Sequence, residues 1–226
     1  MADIAGKVGM LRIGGYLQKN TIAFVDGGGS DDTITDSGNG FLLAGFVAGQ
    51  SYVITGSSDN NYSFTPSAVV AGTMTVATGT VTTELAGALV TIKANPPGAT
   101  TYGIKDFTIN YNAEVVDVST YETVQANTHN ERDFIGTTTG WTLNAGGYYD
   151  TGETAEEDFV GRERYFYIFP KYVAIPAGGD PAYYYHGLGI ITGLTPDSSV
   201  EGIVSQPIAI QGTGALSSMV TKTSPW

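Results

Sequence analysis

From Phe107 the chain alternates apolar and polar residues through Ile109, Tyr111, Ala113 and Val115, with the apolar side chains at odd positions. After Val115 the apolar positions become even, at Val116 and Val118. Alternation of this kind marks a half-buried β-strand. A change of parity inside it requires one extra residue to be absorbed, as a β-bulge does. A bulge at Val115–Val116 returns Glu114 and Asp117, which lie three residues apart, to one polar face shared with Asn110 and Asn112. The bent strand then turns amides and carboxylates to one side and packs its other side into a core.

Period-2 patterning recurs along most of the chain. The segment Gly9–Gly14 is compatible with a first strand. Between Thr21 and Ala94, short strands are expected around TIAFVD, DTIT, QSYVIT, YSFT, GTMTV and ALVTI, with turns at DGGGSDD, DSGNG and SSDNN. A Pro-Pro-Gly turn follows at Pro96–Gly98. The span 21–98 therefore reads as a small inserted β-module, of a size that gains from resting on a larger neighbour. The remaining residues, 1–20 and 99–226, form the second unit.

From Tyr102 onward the expected strands lengthen: IKDFTINYNAEVVDVST, TGWTLNAGGYYD, RERYFYIFPKYVAI, AYYYHGLGIITGL, SSVEGIVS and QPIAIQG. One short helix is predicted near Thr154–Val160. Thr154 caps it, Glu157 completes a capping box, and Glu156, Glu157 and Asp158 suit the positive end of its dipole. The polar stretch from Tyr121 to Phe134 shows no element, and loops of that length are usually functional or in contact with a partner. The fold class expected is mainly β, with one short helix.

Composition sharpens this picture in a few places. Abundant glycine and tyrosine (31 and 14 residues), with charged residues at 14%, favour strands and tight turns over helices. The absence of cysteine (Cys 0) excludes a disulfide framework and a thiolate metal site. No stretch at the start matches the apolar core of roughly 7–15 residues of a signal peptide. No apolar run approaches the roughly 18 residues of a membrane span. A soluble intracellular product with no membrane partner is the expectation.

Net charge is −12 in 226 residues, with seven acids against four bases in 1–100 and fifteen against six in 101–226. Tight nucleic-acid binding needs clustered Lys and Arg, and this balance argues strongly against it. Repulsion of a nucleic acid that passes without binding stays open.

Candidate chemistry is sparse. His129 and His186 stand in no paired-ligand or nucleophile–base arrangement, so both read as surface or packing residues. Glu114 and Asp117 have the residue types of a glycosidase pair, but such sites sit in an aromatic cleft that spacing alone does not supply. Neither the Glu153–Asp158 cluster nor the Asp26–Asp32 loop follows the ordered ligand pattern of calcium loops. The DGGGSDD run lacks the Gly-Lys-Ser/Thr ending of a phosphate loop. In the run Tyr183–Tyr185, Tyr183 and Tyr185 share one strand face and Tyr184 takes the other. Core or interface packing and a sugar-stacking platform both fit them. No catalytic, cofactor-binding or metal residue is assigned, and an enzyme is not expected.

Three segments, IKDFTINYNAEVVDVSTYET, ERDFIGTTTGWTLNAGGYYDTG and YHGLGIITGLTPDSSVEGIVSQPIAIQGTGAL, together resemble the major tail tube protein of long-tailed, siphovirus-like bacteriophages. The likeness lies in a Val-Asp-Val-Ser strand end at Glu114–Thr120 and a Thr-Gly-Trp segment within Gly136–Leu143. It continues in a Gly-x-Tyr-Asp end at Gly147–Asp150 and a Gly-Thr-Gly at Gln211–Leu216. It covers residues 1–20 and about 100–226, and the span 21–98 departs from it.

What the resemblance implies is a tail-tube-type β-sandwich or barrel, plus an inserted module on the tube exterior. Subunits join as homohexameric rings that stack into a tube through which DNA passes transiently. Implied partners are further copies of the chain and the tape measure, tail terminator and distal tail proteins. The implied location is the virion tail, assembled in the host cytoplasm, and no cofactor is implied. Asn110, Asn112, Glu114 and Asp117 are expected on the bore side. Contacts between rings are expected from Tyr121, Glu122, Gln125, Asn127, His129, Glu131 and Arg132. Alternatives are a virion decoration or head-to-tail connector protein, and a carbohydrate-binding β-module.

Overall fold

Alternating β-branched and aromatic residues, broken by Gly- and Asp-rich turns, leave the backbone extended almost throughout. The computed structural model describes residues 9–95, 100–117, 134–147, 160–170, 182–195, 197–198, 204–205, 207–217 and 220–222. Among these described residues every regular element is a strand, so the chain is mainly β, as its sequence pattern predicts. In chain order they are β1 (Gly9–Gly14), β2 (Tyr16–Lys19), β3 (Ile22–Val25), β4 (Asp32–Asp36), β5 (Tyr52–Thr55) and β6 (Ser63–Phe64). Then come β7 (Ala68–Val70), β8 (Thr73–Val76), β9 (Val90–Ala94), β10 (Thr100–Asp117), β11 (Phe134–Gly147) and β12 (Glu163–Phe169). The last are β13 (Ala182–Leu194), β14 (Asp197–Ser198), β15 (Val204–Ser205), β16 (Ile208–Gly212) and β17 (Val220–Lys222). The segment expected as a helix at Thr154–Val160 lies outside the described residues except for Val160, which bridges to Ile191.

Residues 16–94 build two four-stranded antiparallel sheets, ordered β2-β9-β5-β6 and β3-β4-β8-β7. Their inward side chains merge into one core that includes Ile22, Phe24, Ile34, Phe41, Phe46, Tyr52, Ile54, Met74 and Ile92. Buried carboxylates hold the turns. Asp32 accepts backbone N–H bonds from Gly27, Thr80 and Val81 at 2.7–2.9 Å. Those donors, led by Val81 and Gly27, hold its carboxyl below the usual carboxylate range. The acidic loop at 26–32 thus spends Asp32 on its own backbone. Asp36 takes the Thr21 hydroxyl at 2.6 Å, the Gly38 and Gly40 amides at 2.9 and 2.8 Å, and the Lys19 ammonium at 3.1 Å.

The remaining long strands pair in the order β12-β1-β10-β11-β16-β13, and β13 also pairs with β12. That last pairing closes six antiparallel strands into a barrel, with β17 added to β13 at Ala182–Tyr184. Alternation sends Leu11, Ile13, Trp141, Leu143, Ala145, Phe166, Ile168, Ile191, Ile208 and Ile210 to its interior. So narrow a barrel accommodates a tryptophan only where facing strands carry no side chain. A Cβ on Gly212 would collide with the Trp141 indole, and one on Gly187 would lie 3.1 Å from it. The indole N–H is satisfied by the Gly214 carbonyl at 2.9 Å. Gly187 of HGLGIITGL and Gly212 of QGTG are therefore the complement of one buried indole.

The chain diverges from its sequence pattern in three places. The stretch SSVEGIVS, expected as one strand, contains parts of two short strands. Asp197 pairs with Ser205 and Ser198 with Val204, so the chain reverses between them. The strand β2 and the strand β7 carry too few alternating residues to be legible, and pairing with β9 and β8 defines them.

Two outcomes are expected from this packing. Gly212→Ala overpacks the Trp141 site and lowers stability by about 1–3 kcal/mol, read by denaturant unfolding. For Asp36, burial acts to raise the pKa, but the Thr21, Gly38, Gly40 and Lys19 bonds outweigh it and bring it from 3.8 to about 2. A depressed folded pKa gives stability that is complete above the unfolded value and lost as pH falls through the folded one. Asp36→Asn is thus expected to cost on the order of 2 kcal/mol near pH 6, a difference from the parent that shrinks towards zero by about pH 2.

Candidate assembly interface

Two strands are too long for the barrel they belong to. β1 covers β10 only from Thr100 to Ile104, and β16 covers β11 only from Thr142 to Ala145. Yet β10 and β11 remain paired with each other as far as Asp117 and Phe134. A two-stranded ribbon therefore runs out of the barrel. Among the described residues its outer edges, Lys105–Asp117 on β10 and Phe134–Trp141 on β11, have no strand beside them. At about 3.3 Å per residue the β10 edge is on the order of 40 Å long. An isolated two-stranded ribbon is marginal in water, and its unpaired N–H and C=O groups are a template for another strand.

A register shift sets where the ribbon leaves the barrel. Ile104 faces Gly147 but Asp106 faces Gly146, so Lys105 is an extra residue in β10. The bulge is tied by a bond from the Gly146 N–H to the Asp106 carboxylate at 3.1 Å. The bulge switches the core-facing positions of β10 from the even Ile104 to the odd Phe107 and Ile109. In sequence this was legible as a change of apolar parity between Ile104 and Phe107, a signal weaker than the Val115–Val116 pair because only one even apolar residue precedes it.

The second irregularity lies between Glu114 and Val115, next to the position inferred from the paired valines. Its extra residue, however, belongs to the partner strand: Glu114 faces Thr138 and Val115 faces Gly136, leaving Thr137 unmatched on β11. The Gly-Thr-Thr-Thr-Gly run there has little bulk to resist the insertion. The side chains of Glu114 and Asp117 lie outside the described ones, as does the whole predicted inter-ring set, Tyr121, Glu122, Gln125, Asn127, His129, Glu131 and Arg132.

On the described part of the ribbon, Asn110 and Asn112 are exposed and share a face with exposed Asp106 and Thr108. Register extends that face across the sheet, from Thr108 to Asn144 and from Asn110 to Thr142 and then Gln211. The face is thus a strip of amides and hydroxyls with one described carboxylate, Asp106. Sequence reasoning found Asn110 and Asn112 by alternation. It missed Thr142, Asn144 and Gln211, because cross-strand neighbours depend on register. The opposite face is apolar where it meets the barrel and ends in Tyr111, which is 62% exposed.

The remaining sequence candidates belong to packing. Tyr185 packs against the barrel core, while Tyr184 makes edge and tilted ring contacts with Tyr167, Phe169 and His186. His186 Nδ1 and the Tyr165 hydroxyl share a hydrogen bond of 2.7 Å. Burial, helped by nearby Lys93, lowers the pKa of this imidazole. Among the described residues no group of three or more His, Cys, Asp or Glu stands together as a metal site.

No protein-family model matches the chain, and no curated protein matches it at a significant level. Solved structures overlap part of it. The tail of an empty gene transfer agent particle, with C6 symmetry, is 24% identical over 53% of this chain and 85% of that chain, with a TM-score of 0.39. The virion of a native gene transfer agent particle is 22% identical over 54% and 88%, with a TM-score of 0.38. TM-scores this low establish no shared fold, and the functional reading rests on the chain's own residues.

Proline scanning tests the free edge. Of two adjacent residues in β10, one N–H points to β11 and the next points away. Asn110→Pro and Tyr111→Pro are therefore expected to differ. One unfolds the ribbon, while the other leaves circular dichroism and melting unchanged and abolishes self-association in sedimentation velocity. Equal association by both folded variants would show that this edge joins nothing.

Proposed function

We propose that the chain is a structural subunit of a phage-like tail, and that copies join side by side through the β10–β11 ribbon into rings that stack as a tube. The observation that carries this reading is the long two-stranded ribbon whose outer edges lack strands among the described residues. The edge of β10 in one copy takes the edge of β11 in the next, a head-to-tail contact that closes into a ring and leaves both ring faces free to stack. The sequence resemblance supports six copies per ring and an inserted module, residues 21–98, on the outside.

In this arrangement the polar face of the ribbon lines the bore. Asp106, Thr108, Asn110 and Asn112 supply it, with Glu114 two positions further along β10; because the extra residue belongs to β11, β10 keeps its alternation and Asp117 is out of step with this set. Amides and hydroxyls keep the wall wet, and the carboxylates repel phosphates, so DNA passes without sticking. The segment 121–133 would contact the next ring, and catalysis has no part in the role.

Negative-stain microscopy over a concentration series checks the proposal. Rings or stacked tubes are expected, and a monomer that persists to high concentration would overturn it. Tubes of the Glu114→Lys variant are expected to retain short duplex DNA at low salt, whereas parent tubes release it. Equal release from both would remove Glu114 from the bore.

A further inference from the structure

Where the two small sheets meet the barrel there is an open cleft of about 690 Å³. Several contacts hold this junction, some of them between residues of the cleft wall. The Tyr167 hydroxyl donates to the Ala94 carbonyl at 2.7 Å, and the Tyr16 N–H donates to the Ala44 carbonyl at 3.2 Å. Arg164 Nη2 donates to the Leu43 carbonyl at 3.1 Å. Lys93 Nζ sits 4.6 Å above the centre of the Tyr165 ring.

The charge of this cleft is opposite to that of the chain. Lys19, Arg162 and Arg164 all line it, three of only 10 basic residues in a protein of net charge −12. One carboxylate lines the cleft with them: Glu163, which accepts the Thr213 hydroxyl at 2.7 Å. Lys19 is paired at 3.1 Å with Asp36 buried behind the wall, so the charge offered to an incoming group centres on Arg162 and Arg164. Arg162 is exposed on the rim and makes no ion pair with a described residue. Its charge also reaches Arg164, whose pKa is lowered to about 10 by burial and then by Arg162. Between the cations the wall is apolar: Leu17, Leu188 and the 62% exposed Leu43.

We infer that this cleft is a second assembly contact, one that receives a carboxylate-bearing segment from a neighbouring copy of the same chain. The occupant follows from charge. Acids outnumber bases 22 to 10, so an approaching copy presents carboxylates, and the cleft is a site where they meet local positive charge. Its volume admits a few side chains rather than a strand. The cleft lies at the Gly14 end of β1, while the ribbon departs from the Gly9 end. The two contacts therefore face different ways, as contacts within and between rings require. This inference rests on the self-assembly proposed above.

A labelled penta-glutamate peptide tests the cleft apart from assembly, because the rest of the chain repels it. Saturable binding is expected at low salt. Arg162→Glu weakens it at least about fivefold, Arg162→Lys restores most of it, and Lys105→Glu, the same charge change beyond the far end of β1, leaves it intact. Self-association read by sedimentation should fall at least about fivefold in Arg162→Glu, while monomer melting is unchanged. No peptide binding, or equal loss with Lys105→Glu, overturns the cleft. Rings that form and stack equally well in Arg162→Glu overturn the second-copy occupant but leave the ribbon contact standing. A parent chain that never associates overturns both.

Discussion

Backbone hydrogen bonding governs this molecule more than any side chain does. Six strands satisfy one another by closing into a barrel, and a closed barrel has no edges. β10 and β11 exceed that barrel, so closure solves the edge problem for the strand ends within it, and along the ribbon no described strand covers the outer edges. A long two-stranded ribbon with uncovered edges is costly unless something completes it. The completion proposed above is another copy of the same chain, whose β11 edge meets this β10 edge.

The barrel makes the ribbon's direction definite. Trp141 fills the interior at the point where β11 leaves β16, and Gly187 and Gly212 line the space it needs. Several residues away along the same pairing, the Lys105 bulge, tied by Asp106 to Gly146, marks where β10 leaves β1. Packing thus fixes the root of the ribbon, while its far part has no neighbouring strand among the described residues. The two small sheets have a separate core and reach the barrel through aromatic and backbone contacts around Tyr165, Tyr167 and Ala94. Their junction is where the molecule gathers positive charge.

Much of the strand content was legible because period-2 alternation and Gly/Asp turns are local signals. The strands around TIAFVD, DTIT, QSYVIT and RERYFYIF lie where the alternation puts them. Register was not legible. Paired valines located an irregularity to within a residue but assigned the extra residue to β10, when Thr137 on β11 is the unmatched one. Only pairing decides which strand carries a bulge. Asn110 and Asn112 were found from alternation in one strand, whereas Thr142, Asn144 and Gln211 join them across strands. The cleft was invisible for the same reason: Lys19 and Arg162 lie far apart in the chain, and only the docking of sheets on barrel brings them together.

The central claim concerns amides that point away from the barrel between Lys105 and Asp117. Hydrogen–deuterium exchange resolved to β10, compared between dilute and concentrated protein, reads them directly. Every second amide of this stretch should exchange rapidly in dilute solution and become protected as copies associate, while the Trp141 region stays protected throughout. Uniform protection at the lowest concentration would mean that the edge is already covered within one chain, which contradicts assembly through the ribbon.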